Sequence, residues 1–141
     1  MSVAPWLLLP AFVHVGWVFV LGLRMGRART AAVRQGRVRM KDIALNSAAW
    51  PDDILKFSNS YNNQFQLPLF FYAILPLLLT LQLADAAQAV LAWCFVASRI
   101  VHSLIHTGRN NVVRRFYAFL AGFLIIAAMW AWFALRFYVI G

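Results

Sequence analysis

Four long apolar stretches constrain this chain more than any other feature. The first covers residues 5 to about 24 and is interrupted only by His14 before its closing arginine. Its length of about 19 to 20 residues is enough to cross a hydrocarbon core roughly 30 Å thick. Further stretches cover about 53–83, 86–107 and 112–139. Inside lipid every backbone N–H and C=O must be paired within the segment, so uninterrupted apolar runs of this length specify helices. The composition agrees. Of 141 residues 63% are hydrophobic and 12% charged, whereas a soluble domain carries about 25% charged residues. Sixteen per cent aromatic residues, six of them Trp, suit anchoring at membrane interfaces. The expected fold is a single all-α integral membrane domain, a four-transmembrane-helix bundle. The N-terminus has no positive segment ahead of its apolar run and no clear small-x-small cleavage site, so the first stretch reads as a retained helix. Cys94 is the single cysteine and lies mid-way along the third stretch. It reads as a small buried or lipid-facing residue.

Charge distribution orients the bundle. The net charge is +9, but the positives sit between apolar segments. Anionic lipid and topology account for them, and nucleic acid is not an expected partner. Arg24, Arg27, Arg29, Arg34, Arg37, Arg39 and Lys41 follow the first span with no acid before Asp42. Arg109, Arg114 and Arg115 repeat the pattern after the third. The turn between the second and third spans holds Asp85 and no base. Loops 24–52 and 107–115 are therefore expected in the cytoplasm, with both termini on the opposite side. Asp52 or Asp53 fits as a cap for the second helix, and Pro51 favours a break before it. At about 31 residues, or near 46 Å, that helix is longer than a bilayer requires, so its first turns should project into the cytoplasm. Pro68 and Pro76 should bend it.

Polar residues cluster where the apolar pattern should exclude them. Asn59, Asn63 and Gln66 stand at i, i+4 and i+7 on the second helix, and Arg99, His102 and His106 at i, i+3 and i+7 on the third. Both faces lie toward the cytoplasmic side, where Arg114 and Arg115 open the fourth helix. This set offers amides, imidazoles and guanidinium groups without a carboxylate. It can hold an anion, since guanidinium grips a carboxylate in a fork and amides read peptide groups. A cation there can also lower a thiol's pKa and make it a nucleophile. The alternative is that these groups bond one another between helices, with Arg114 and Arg115 on lipid phosphate. His102 and His106 have the spacing of metal ligands, but no acid or cysteine accompanies them, and no metal is expected. His14 reads as a buried histidine bonded to a neighbouring helix, with a proton-relay or ligand role as the alternative.

The segment Asn63-Gln64-Phe65-Gln66-Leu67-Pro68 resembles the N-x-x-E-x-P motif of the MAPEG family (membrane-associated proteins in eicosanoid and glutathione metabolism). Arg99-x-x-His102-x-x-x-His106, followed by Asn110, Asn111 and an arginine opening the fourth helix, resembles that family's second motif. The likeness extends over all four helices, and the bacterial members look most similar. It implies a homotrimer of four-helix subunits in the bacterial inner membrane. Glutathione, as co-substrate, would bind between neighbouring subunits on the cytoplasmic side, and a hydrophobic small-molecule substrate would arrive from the membrane lipids. It implies Arg114 as the arginine that stabilises the glutathione thiolate, with Arg115 one residue away. Asn63 carries over as a glutathione contact and Arg99 as a structural or ligand arginine of the motif, and Asn59, Gln66, His102 and His106 stand at the family's other binding positions. Here Asn59 replaces an arginine, Gln66 a glutamate, and His102 and His106 stand where the eicosanoid synthases have tyrosines. A neutral amide gives a ligand ammonium only a weaker hydrogen bond than a carboxylate. The implied function is a glutathione-dependent transferase or peroxidase acting on lipophilic electrophiles. The alternative is a non-catalytic lipid-binding or scaffolding protein of the same fold. A small transporter is a third reading, which the scarcity of intramembrane ionisable groups disfavours.

Overall fold

The structure, a computed structural model, describes residues 3–140. Its helices in chain order are α1 (Ala4–Arg34), α2 (Met40–Ile43), α3 (Asp52–Asn62), α4 (Pro68–Thr80), α5 (Ala86–Thr107) and α6 (Val112–Leu135). Short 3-10 turns occupy Ser47–Ala49 and Asn63–Phe65, and Arg136–Ile140 forms a π-turn. No strand occurs among the described residues. Four segments are long and apolar enough to cross a membrane: Ala4–Arg34, Asp52–Thr80, Ala86–Thr107 and Val112–Val139.

The first helix runs well past the expected end near residue 24. Its extension, GRARTAAVR, contains mostly strong helix formers and no proline. It stops where Gly36 takes φ +67°. There Gly36 N–H donates to Val33 and Arg37 N–H to Ala32, the pairing of a left-handed glycine terminus. The extension does not project alone. Ala32, Trp50 and Ile54 bury one another, and Arg29 Nη2 donates to Ser58 Oγ at 2.8 Å with its guanidinium 4.9 Å over the Trp50 ring. This satellite cluster ties α1 to α3.

The second span is broken, not merely bent. Pro68 has no N–H to give the carbonyl four residues back, and the chain tightens to 3-10 geometry over Asn63–Phe65. Gln66 follows at φ −89°, ψ −86°, outside the helical region. The span then ends at Thr80, three residues short of expectation, because Gln82 turns the chain at φ +57°. Neither Asp52 nor Asp53 caps α3. Pro51 is the cap residue and makes no side-chain bond. The two acids stand in the first turn, where they complement the helix dipole. Asp53 takes a two-pronged bond from Arg37 at 2.6 and 3.0 Å, which raises the Arg37 guanidinium above its ordinary value.

The main core lies between α4, α5 and α6, with Leu7 of α1 at its edge. Phe71, Ile74, Leu78, Phe95 and Met129 are buried in it, and because lipid is as apolar as these side chains, they contribute through close van der Waals packing. The approach of α6 to α5 is close. A Cβ at Gly122 would stand 2.8 Å from Ser98 Oγ. Each end of the bundle is fastened separately. At one end Asp85 caps α5 through Gln88 N–H at 2.8 Å. It also accepts from Trp132 Nε1 at 2.8 Å and Arg136 Nη1 at 3.0 Å. At the other end Lys56 Nζ donates to Gly108 O at 3.2 Å. The two basic loops therefore share one end and the acidic turn takes the other.

Candidate functional site

The turn between α5 and α6 sets one arginine in place. α5 ends at Thr107 with Gly108 as its C-cap, and a Cβ there would lie 2.9 Å from the Leu104 carbonyl. Asn110 then takes φ +50°, a conformation Asn tolerates better than most residues. Asn111 caps α6 by accepting from Arg114 N–H at 3.0 Å. The left-handed turn aims the Asn110 amide back at α6, where its Oδ1 accepts from Arg115 Nη1 at 2.7 Å.

Arg115 lines a cavity of about 230 Å³ with Asn63, His102, Val112, Phe116 and Phe119. Elements distant in sequence therefore meet here: the 3-10 break of the second span, the last turns of α5 and the first two turns or so of α6. Arg99 reaches the same break from α5, donating Nη2 to the Asn63 carbonyl at 3.1 Å. It is 1% exposed. Its Nε and Nη1 are buried without a hydrogen-bond partner among the described residues, as are His102 Nδ1 and His106 Nδ1. The two imidazoles meet edge to face with centroids 5.8 Å apart. A buried guanidinium with two unmatched donors is costly unless an anion or acceptor meets it. These unmatched groups can serve an anion or another acceptor that reaches them. No carboxylate lines the cavity, and no three His, Cys, Asp or Glu side chains converge elsewhere among the described residues.

The sequence-based site is thus divided by the structure. Asn63, Arg99, His102, His106 and Arg115 gather around the break. Asn59 and Gln66 are exposed and do not line the cavity. The shared i, i+4, i+7 face fails because the helix is interrupted between Asn63 and Gln66. Arg114 is exposed and also absent from the lining. Counting along the motif favoured it, but one residue on a helix is a turn of about 100°, and the cap at Asn111 directs Arg115 inward instead.

Among the amides of residues 59–66 the structure buries Gln64, which the sequence did not single out. Its Nε2 donates to Ser60 O at 3.0 Å, which leaves Oε1 as the acceptor facing His14 Nε2 at 3.2 Å. His14 therefore carries its proton on Nε2, and its Nδ1 accepts from the Tyr72 hydroxyl at 2.6 Å. Trp17 Nε1 donates to Ser103 Oγ at 2.7 Å, a second polar tie from α1 into the bundle. His14 is accordingly a buried histidine bonded across helices. A polar residue repeated at matching depth in different spans is the only sequence signal of such a tie.

The model of the MAPEG family matches residues 7–135, which is nearly the whole chain. The chain belongs to the MAPEG family. With its four apolar helices it is an integral, multi-pass membrane protein. No curated protein and no solved structure matches it. Membership in MAPEG places the protein, at family level, among membrane proteins of glutathione-related transferase and peroxidase type.

Proposed function

We propose that this MAPEG protein is a glutathione-dependent transferase or peroxidase acting on lipophilic electrophiles, with Arg115 as the arginine that stabilises the glutathione thiolate. One observation carries the reading. Arg115, held by Asn110, shares a cavity with Asn63 and His102, beside the buried Arg99 and its two free donors. Arg99 supplies a fixed positive charge for a ligand carboxylate, and Asn63 supplies an amide for a peptide group. The Arg115 guanidinium favours the thiolate over the thiol, and the thiol proton passes to water. Sulfur then attacks the electrophilic carbon as the leaving group departs with its bonding pair. A cavity of about 230 Å³ is below the roughly 300 Å³ at which ligand pockets begin. A neighbouring subunit of a homotrimer would complete the site, with membrane lipids delivering the hydrophobic small-molecule substrate. The same reading sets the end carrying the two basic loops in the cytoplasm and the chain in a bacterial inner membrane.

A non-catalytic, lipid-binding role draws support from Asn59 and Gln66, whose side chains stand outside the cavity. Turnover separates the two. Conjugation of glutathione to a lipophilic chloronitroarene should proceed with the natural protein. It should fall about 100-fold or more in Arg115→Ala, the cost typical of removing one electrostatic donor from a developing charge. Arg114→Ala should retain most activity. Equal losses in both variants would remove the assignment to Arg115, and no turnover in the natural protein would favour the lipid-binding role.

A further inference from the structure

Helix α1 and the segment after it carry more cations than their neighbours use. Arg24 stands 5.6 Å over the Phe57 ring, and Arg29 is held by Ser58 and Trp50. Arg37 pairs with Asp53 and Arg39 with Asp42. Arg27 and Arg34 have no hydrogen-bond, ion-pair or ring partner among the described residues. They stand at i and i+7, about 10.5 Å apart along one face of the helix. With Gly26, Thr30 and Ala31 they line a groove of about 510 Å³.

This groove does not stop at the basic end. Gly22 and Leu23 line it and also line a second pocket of about 460 Å³. That pocket is walled by Val15, Val18 and Phe19 of α1 and by Tyr61 and Phe65 of the second span. The two form one track along α1, apolar where the helix crosses the membrane and cationic where it leaves. Between them Gly26 keeps the floor open, since a Cβ there would meet nothing within 4 Å. We propose that this track binds an anionic phospholipid, with an acyl chain in the apolar pocket and the phosphate held by Arg27 and Arg34.

Position and charge select this occupant. Side chains on a helix lean toward its N-terminus, so Arg34 leans back toward Arg27, whose long flexible stem can turn to meet the same phosphate between them. Two guanidinium forks on one face match the oxygens of a phosphodiester. A soluble anion would leave the apolar pocket without a role, and a zwitterionic lipid would leave the two cations only partly matched. The site shares no lining residue with the Arg115 cavity and stands whether or not the glutathione reading does.

Native mass spectrometry of the full chain in neutral detergent tests this directly, with phosphatidylglycerol, phosphatidylcholine and glycerol phosphate as probes. Phosphatidylglycerol should be retained at least tenfold more tightly than phosphatidylcholine, and glycerol phosphate should not be retained. The double variant Arg27→Gln/Arg34→Gln should lose that preference, whereas Lys41→Gln, off the track, should keep it. Gly26→Leu leaves both cations in place and should weaken retention by filling the floor. Equal retention of the two lipids would overturn the proposal, as would unchanged retention by the double variant. Retention of glycerol phosphate would make this a free-phosphate site. If Gly26→Leu instead changes the oligomer mass, the track is an interface between copies of this chain, and the lipid assignment is wrong.

Discussion

Replacing Arg99 by Met separates a ligand site from polar packing more sharply than any other substitution. Arg99 is almost fully buried and uses one donor, Nη2, on the Asn63 carbonyl, while Nε and Nη1 have no partner among the described residues. Loss of the charge-assisted bond costs about 1.5–3 kcal/mol, and relief of each unmatched buried donor returns about 1–3 kcal/mol. Met keeps most of the apolar stem and adapts to irregular space. With two such donors the expected balance runs from a destabilisation of about 1 kcal/mol to a stabilisation of about 4.5 kcal/mol for the ligand-free protein. Glutathione should lose a charged contact worth about 1.5–3 kcal/mol, so its dissociation constant should rise roughly 10- to 150-fold. Unfolding in mixed micelles by denaturing detergent reads the first quantity, and calorimetric titration of glutathione reads the second. A destabilisation of about 3 kcal/mol or more with unchanged glutathione affinity would refute the reasoning. That result would mean that the bond to the Asn63 carbonyl and the packing of the stem hold the helices together, and it would make Arg99 interhelical packing.

Three further substitutions probe the frame around the site. Asp85→Ala removes a helix cap and strands Trp132 and Arg136. It should cost about 2–4 kcal/mol in the same unfolding assay, and Arg136→Gln should cost less because the cap and the Trp132 bond survive. Gln64→Leu leaves the Nε2–H of His14 unpaired in a buried position. A loss of about 1–3 kcal/mol is expected, and prior replacement of His14 by Leu should shrink it in a double-mutant cycle. Gly122→Ala sets a methyl 2.8 Å from Ser98 Oγ. It should destabilise by about 1–3 kcal/mol despite the better helix former, and the added Ser98→Ala change should recover much of that.

The spans and their order were legible because lipid leaves a chain few options. Length, apolar content and the placement of arginine suffice to count helices and to pair the basic loops at one end. The GRARTAAVR extension of α1 was not legible from hydropathy, since its helix rests on packing against Trp50 and Ile54 and on the glycine terminus at Gly36. Pro68 announced a disturbance, but its size depends on how Asn63–Phe65 rearrange around Arg99 and the cavity. Among the amides of Asn59–Gln66, chemistry alone does not distinguish inside from outside. Gln64 is chosen by His14, 50 positions away, and Asn63 by the cavity formed with α5 and α6. Which of Arg114 and Arg115 lines the cavity is a matter of helical phase. It turns on the left-handed Asn110 and the cap at Asn111, which motif counting does not resolve.

Thiolate formation is the most direct probe of the proposed chemistry. Glutathione added to the purified protein should produce thiolate difference absorbance in the ultraviolet at a pH below that at which free glutathione ionises. Arg115→Ala should abolish that signal, Arg114→Ala should preserve it, and both variants should keep the oligomer mass of the natural protein. A thiolate of undiminished amplitude in Arg115→Ala, or no thiolate in the natural protein at millimolar glutathione, would contradict the assignment of this cavity as a glutathione-activating site.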